Sequence, residues 1–158
     1  MKIEEKYLDA LHVVGLKIIT SNDNESSPDT AKIPALWQQF FSENIEEQIP
    51  DRKPGGNILG VYSDYDSELR GVYSVIVGRE VTAIQKLPAD MAAVTIPAAR
   101  YLVFSDEGEM PKIIYSLWQS IWEYFADNSD HRRLYTADFE RYPADESSRV
   151  EIYIAIAA

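Results

Sequence analysis

The amino-acid sequence predicts an α+β fold: two pseudo-two-fold-related strand-helix-strand-strand repeats forming a mainly antiparallel sheet with helices on one face. Three observations carry this expectation. Apolar, β-branched runs bounded by turn residues recur as strands, and two aromatic-rich stretches recur at helical spacing. The connections have the lengths of hairpins and helix crossovers, which suit an antiparallel sheet. The two halves also echo each other: Leu36-Trp37-Gln38-Gln39-Phe40-Phe41 is matched by Leu117-Trp118-Gln119-Ser120-Ile121-Trp122. From Trp37 there are 25 residues to Tyr62 and 11 more to Tyr73; from Trp118 there are 24 to Tyr142 and 11 to Tyr153. Two copies are too few for a solenoid, so they predict one domain over 1–158, with repeat one at about 1–82 and repeat two at about 88–158. On this reading Trp37 superposes on Trp118 and Tyr73 on Tyr153.

Residues 11–20, Leu-His-Val-Val-Gly-Leu-Lys-Ile-Ile-Thr, read as the first strand. The polar run from Ser21 to Asp29 reads as a solvated loop. Asp29 or Thr30 can cap the helix that follows, with Pro34 tolerated near its first turn. Ile33, Trp37, Phe40, Phe41 and Ile45 recur at helical spacing, and Pro50 lies beyond the end. After the Pro54-Gly55-Gly56-Asn57 loop come strands over Ile58 to Tyr62 and Gly71 to Val81, joined by the acidic turn Asp64 to Glu68. The second unit opens with Ala92 to Ile96, a turn at Pro97-Ala98-Ala99, and Arg100 to Phe104. Pro111 suits the first position of the second helix. There Ile114, Trp118, Ile121, Trp122 and Phe125 share one face, and Asp127 to Asp130 ends it. Leu134-Tyr135-Thr136 leads into Phe139 to Tyr142, and the turn from Pro143 to Ser148 returns the chain as Arg149 to Ala157.

The bulk chemistry excludes several classes of function. A net charge of −11, with no basic run longer than two residues, as at Arg132-Arg133, opposes nucleic-acid binding. Without cysteine there are no disulfides, thiol nucleophiles or thiolate metal sites. No apolar run approaches the roughly 18 residues of a membrane span, and the first residues lack the apolar core of a signal peptide, so a cytoplasmic protein is expected. His12 and His131 are far apart and fit no metal-ligand spacing. The Asp64 to Glu68 run lacks the glycine and closing glutamate of an EF-hand. Neither a phosphate loop nor a Gly-x-Ser-x-Gly elbow is present. Neither a cofactor nor a metal is expected.

In order along the chain, Ile33-Pro34-x-Leu36-Trp37-x-x-Phe40, Gly60-Val61-Tyr62, Gly71 to Gly78, Thr95-Ile96-Pro97-Ala98-Ala99-Arg100-Tyr101, Trp118-x-x-Ile121, Asp138 to Tyr142 and Val150 to Ile154 resemble the GyrI-like effector-binding domain. That module serves some AraC-type and MerR-type regulators and also occurs free-standing in gyrase-inhibitor proteins. The resemblance covers essentially the whole chain. It implies two such repeats with a ligand cleft where they meet, and a glutamate on the strands of the last hairpin at the centre of that cleft. The regulators carry a helix-turn-helix domain ahead of the module. Here the module begins at about Met1, so the resemblance favours the free-standing relatives over direct DNA contact.

Aligning the halves by their tyrosines sets Glu140 against Gly60 and Glu151 against Gly71, a carboxylate in one half facing open space in the other. Such a cleft suits an organic cation with a flat apolar body. Val150, Ile152, Ile154 and Ile156 share one strand face, and Glu151, Tyr153 and Ala155 share the other. Which of Glu140 and Glu151 enters the cleft depends on hairpin register, since a slip of one residue inverts the faces. Glu151 is favoured. The candidate ligand-binding set is Glu151, Glu140, Tyr153, Trp118, Trp122, Tyr142, Tyr62, Tyr73 and Trp37. Aromatic stripes at helical spacing more often pack a core, so some of these are expected to be ordinary core residues. The leading expectation is a small-molecule-binding protein for cationic or amphipathic aromatic compounds. The alternatives are a glutamate-dependent hydrolase of electrophilic small molecules and a gyrase-inhibitor-like interaction with a protein partner.

Overall fold

A computed structural model describes residues 1–66, 71–127, 130–143 and 148–158. Ser67 and Glu68 of the expected acidic turn, Asn128 and Ser129 of the helix end, and 144–147 of the last turn lie outside the described residues. Eight strands form one antiparallel sheet: β1 (Lys2–Leu8), β2 (Leu11–Ser21), β3 (Ile58–Ser63), β4 (Val72–Val81), β5 (Ala92–Ile96), β6 (Ala99–Glu107), β7 (Ala137–Tyr142) and β8 (Arg149–Ile156). The helices are α1 (Asn22–Glu25), α2 (Ile33–Ser42), α3 (Ile45–Gln48) and α4 (Lys112–Asp127).

The strand order β1-β6-β8-β7-β3-β4-β2-β5 is palindromic about the β7–β3 ladder: β7 answers β3, β8 answers β4, and β6 answers β2. The outermost strands are exchanged, since β1 pairs with β6 of the second half and β5 pairs with β2 of the first. Each exchange is made by a two-residue connection, Asp9-Ala10 and Pro97-Ala98. A link that short reaches about 10 Å. It therefore joins strands near opposite ends of the order only if the sheet curls until those ends approach. The face inside the curl carries its own core, including Val13, Val61, Ile76, Tyr101, Val103, Phe139 and Tyr153.

The other face carries both long helices. Leu36 and Phe40 of α2 pack on Val14, Leu16, Val75 and Val77, whereas Leu117 and Ile121 of α4 pack on Leu102, Phe104, Ile152 and Ile154. Cross-strand pairs show that this is one continuous face, because Val75 pairs with Tyr62, Tyr62 with Asp138, and Glu140 with Ile152. Between the two helix-covered cores, β3 and β7 are left as an uncovered floor.

Several local expectations are corrected. β1 is a strand without an apolar signature, because its alternation of Lys and Glu with Ile3 and Tyr7 leaves it mostly exposed, as suits a sheet edge. The run from Ser21 to Asp29 holds α1 rather than only solvated loop. Neither Asp29 nor Thr30 caps α2. The Glu25 carboxylate does so from outside, accepting from the Lys32 and Ile33 amides at 2.8 and 3.1 Å. Ile45 belongs to the separate α3, since Asn44 at φ 51° turns the chain left-handed. Pro111 sits just outside α4. Tyr73 does not answer Tyr153: Tyr73 lies in the helix-covered core and Tyr153 inside the curl. The matched spacing of 11 misleads because the hairpin registers differ: Gly60 pairs with Val77, 17 residues on, and Glu140 with Ile152, 12 on, an odd difference that inverts the faces.

Candidate functional site

Above the β3–β7 floor, α2 and α4 flank a cavity of about 730 Å³. The alternation of β7 aims Asp138, Glu140 and Tyr142 toward the helices and Phe139 and Arg141 away from them. Glu140 stands at the centre of the floor and is 2% exposed. Three neutral donors hold it: Trp118 Nε1 at 2.6 Å and the Tyr62 hydroxyl at 2.9 Å on Oε2, and the Tyr142 hydroxyl at 2.6 Å on Oε1. Burial pushes the Glu140 carboxyl above the usual carboxylate range, and the bonds from Tyr142, Trp118 and Tyr62 oppose that shift. The same burial and the nearby carboxylate push the Tyr62 and Tyr142 hydroxyls well up, so both stay protonated as donors. Among the described residues, no cationic side chain pairs with Glu140.

The aromatic walls exchange across the two halves. Trp37 of α2 meets Tyr142 of the second half edge-on at 5.0 Å, and Trp118 of α4 meets Tyr62 of the first half edge-on at 5.2 Å. Trp37 overlies Gly60 as Trp118 overlies Glu140, so the half without a carboxylate supplies space. Trp122 packs against Trp118 and is 42% exposed at the mouth, beside the exposed Phe41 and Tyr115. Tyr73 closes the wall near α1, donating to Asn22 Oδ1 at 2.9 Å.

Seven of the nine candidates, Trp37, Tyr62, Tyr73, Trp118, Trp122, Glu140 and Tyr142, thus line one cavity. Glu151 and Tyr153 do not. Glu151, 8% exposed, lies on the opposite face with Arg149 Nη2 at 3.2 Å and Arg141 Nε at 3.6 Å. Tyr153 stacks on Phe139 at 4.4 Å inside the curl. The preference for Glu151 over Glu140 as the cleft residue is corrected here. β8 does alternate as its sequence implies, but the β-branched layer Val150, Ile152 and Ile154 is the one under α4, which sends Glu151 the other way.

Sequence reasoning missed a second buried carboxylate, Asp138, which is 0% exposed. It accepts from Arg133 Nη2 and the Tyr65 hydroxyl, both at 2.7 Å, and from the Ala155 amide at 2.8 Å. Its position two residues before Glu140 on the same strand face was the available signal.

The profile of Cass2, an integron-associated effector binding protein, matches residues 3–156. The chain belongs to this Cass2 family. A Vibrio cholerae integron cassette protein, VCH_CASS2, is 32% identical with a TM-score of 0.84, covering 98% of this chain and 95% of that one. YobU of Bacillus subtilis (strain 168), which carries a transcriptional-regulator name, is 30% identical over 155 residues, 95% of this chain and 94% of YobU. The transcriptional regulator BrlR of Pseudomonas aeruginosa is 26% identical over 93% of this chain, but the match spans only 52% of BrlR. The structure of SAV2435 bound to tetraphenylphosphonium shares the fold at a TM-score of 0.77 and 21% identity, over 100% of this chain and 95% of that one. The Cass2 assignment agrees with the GyrI-like, α+β effector-binding architecture expected from the motifs.

Proposed function

We propose that this Cass2-family chain binds an organic cation with a multi-ring apolar body in the cavity between α2 and α4, with Glu140 as its counter-charge. The observation that carries the reading is the state of Glu140: buried at the cavity floor and, among the described residues, bonded only to neutral donors and without a cationic partner. Such a carboxylate attracts a positive ligand more strongly than a solvated one would. Trp37, Tyr62, Trp118 and Tyr142 offer ring faces and edges for the body, and the exposed aromatics at the mouth extend them. The tetraphenylphosphonium carried by SAV2435 supports the class of ligand. Hydrolysis has less behind it, because Glu140 already accepts three hydrogen bonds and keeps one lone-pair direction, on Oε1, for a water.

Charge and shape can be separated with tetraphenylphosphonium and tetraphenylborate, which differ in sign but hardly in form. Titration followed by tryptophan fluorescence should show saturable quenching by the cation and a far weaker response to the anion. Equal responses overturn the counter-charge reading.

A further inference from the structure

The cavity wall along β7 is electrically lopsided. Glu140 supplies a buried negative charge with no cationic partner among the described residues. One step along the same strand face, at a spacing of about 7 Å, Asp138 is ion-paired with Arg133 and lies behind its partners. The groups that reach the cavity there are Arg133 and the ring of Tyr65. The Arg133 side chain is only 6% exposed, pinned by Asp138 on one side and stacked over Tyr135 at 4.3 Å on the other. Its Nε is buried with no hydrogen-bond partner among the described residues. The Arg133–Asp138 pair therefore presents its positive end to the ligand space.

We infer that Arg133 is a specificity-determining residue that restricts the cavity to ligands with a single positive charge, placed at Glu140, and with a neutral or hydrogen-bond-accepting end toward Arg133. The inference rests on the cation-binding reading above and adds to it the rejection of dications. A second positive charge reaching along β7 meets a guanidinium held too tightly to move away, so the discrimination comes from repulsion as much as from attraction. A carboxylate or carbonyl at that end meets a donor instead.

Three flat probes of similar length test this: methyl phenylpyridinium with one charge, dimethyl bipyridinium with two, and methyl carboxyphenyl-pyridinium with one of each sign. Binding is measured by calorimetry at fixed ionic strength. The wild-type protein should bind the dication roughly tenfold more weakly than the monocation, the scale of one partly compensated like-charge contact at this spacing. The zwitterion should bind at least as well as the monocation. R133K, which keeps the charge, should keep the ranking. R133M/D138N, which removes both charges without stranding a buried carboxylate, should bring monocation and dication within about threefold. Should the double variant fail to fold, the wild-type ranking still decides. Equal or tighter binding of the dication by the wild-type protein overturns the inference, as does unchanged discrimination in folded R133M/D138N. If none of the probes binds the folded wild-type protein, the cation-binding reading itself falls, and the inference with it.

Discussion

Gly60 and Glu140 face each other across the β3–β7 ladder, the ladder that joins the two halves of the sheet. A Cβ on Gly60 would lie 3.2 Å from Glu140 Oε1 and 3.0 Å from Trp37 Cζ2. At this central pair a symmetric protein would need the same residue twice. Two glutamates would set like charges side by side in a buried floor, and two glycines would leave no counter-charge. One of each gives a single carboxylate with room above it.

That room is tested by Gly60→Ala. The added methyl presses on Glu140, which is buried and bonded, and on Trp37, which is half-buried and can swing into the cavity. The expected cost is about 1–2 kcal/mol of stability, the lower part of the overpacking range. Affinity for a bulky tetraaryl cation should fall further than affinity for a small planar one. A thermal melt and paired titrations read both, and equal losses for the two ligands would contradict a change in cavity shape.

Glu140→Gln keeps the shape of the floor and removes its charge. Cation affinity should fall by about 1.5–3 kcal/mol, the scale of a hydrogen bond to a charged group. Stability at neutral pH should stay level or rise, since burying an ionised carboxylate is costly even with three donors. Calorimetric binding and chemical denaturation of the two proteins check this, and a clear loss of stability without loss of affinity would make Glu140 structural.

The raised Glu140 carboxyl also sets a pH dependence, with opposite signs for stability and binding. Between the ordinary glutamate range and the raised value in the fold, the native state holds a proton that the unfolded chain has released. The stability owed to this group is therefore full at low pH and is lost as pH climbs through that window. Cation affinity should do the reverse, rising through the same window as Glu140 ionises. Measured as wild type minus Glu140→Gln, to cancel the other titrating groups, the stability difference should fall with pH while the affinity difference grows. Parallel slopes would remove Glu140 as the titrating group.

Much of this arrangement is legible in the sequence. The aromatic seams fixed α2 and α4, because large side chains at helical spacing have to be buried against something. The Trp-to-Tyr spacing located Trp37, Trp118, Tyr62 and Tyr142, all of which meet above the floor. The spacing failed at Tyr73 and Tyr153, where a difference in hairpin register moved equivalent strands out of step and put the two tyrosines on opposite faces. Alternation alone cannot say which face of β8 carries a helix, and so it could not choose between Glu140 and Glu151. β1 was hidden by its charges. Arg133 and Asp138 were hidden differently: a buried ion pair across five residues and a turn has no local pattern to reveal it.

The last prediction concerns Glu151, which sequence reasoning had favoured as the ligand carboxylate. It lies on the far side of the sheet from the cavity, between Arg149 and Arg141, with the Tyr153 hydroxyl at 3.4 Å. Both arginines are partly exposed, so water screens the pairs and each contributes modestly. Glu151→Gln should therefore cost about 1 kcal/mol of stability. It should leave cation affinity unchanged, because the sheet separates it from the α2–α4 cavity and distant sites act independently. The melt and the titration are read on the same samples as Glu140→Gln, where the pattern is expected to be inverted. Loss of cation binding in Glu151→Gln, with Glu140→Gln still binding normally, would move the site to the inner face of the curl.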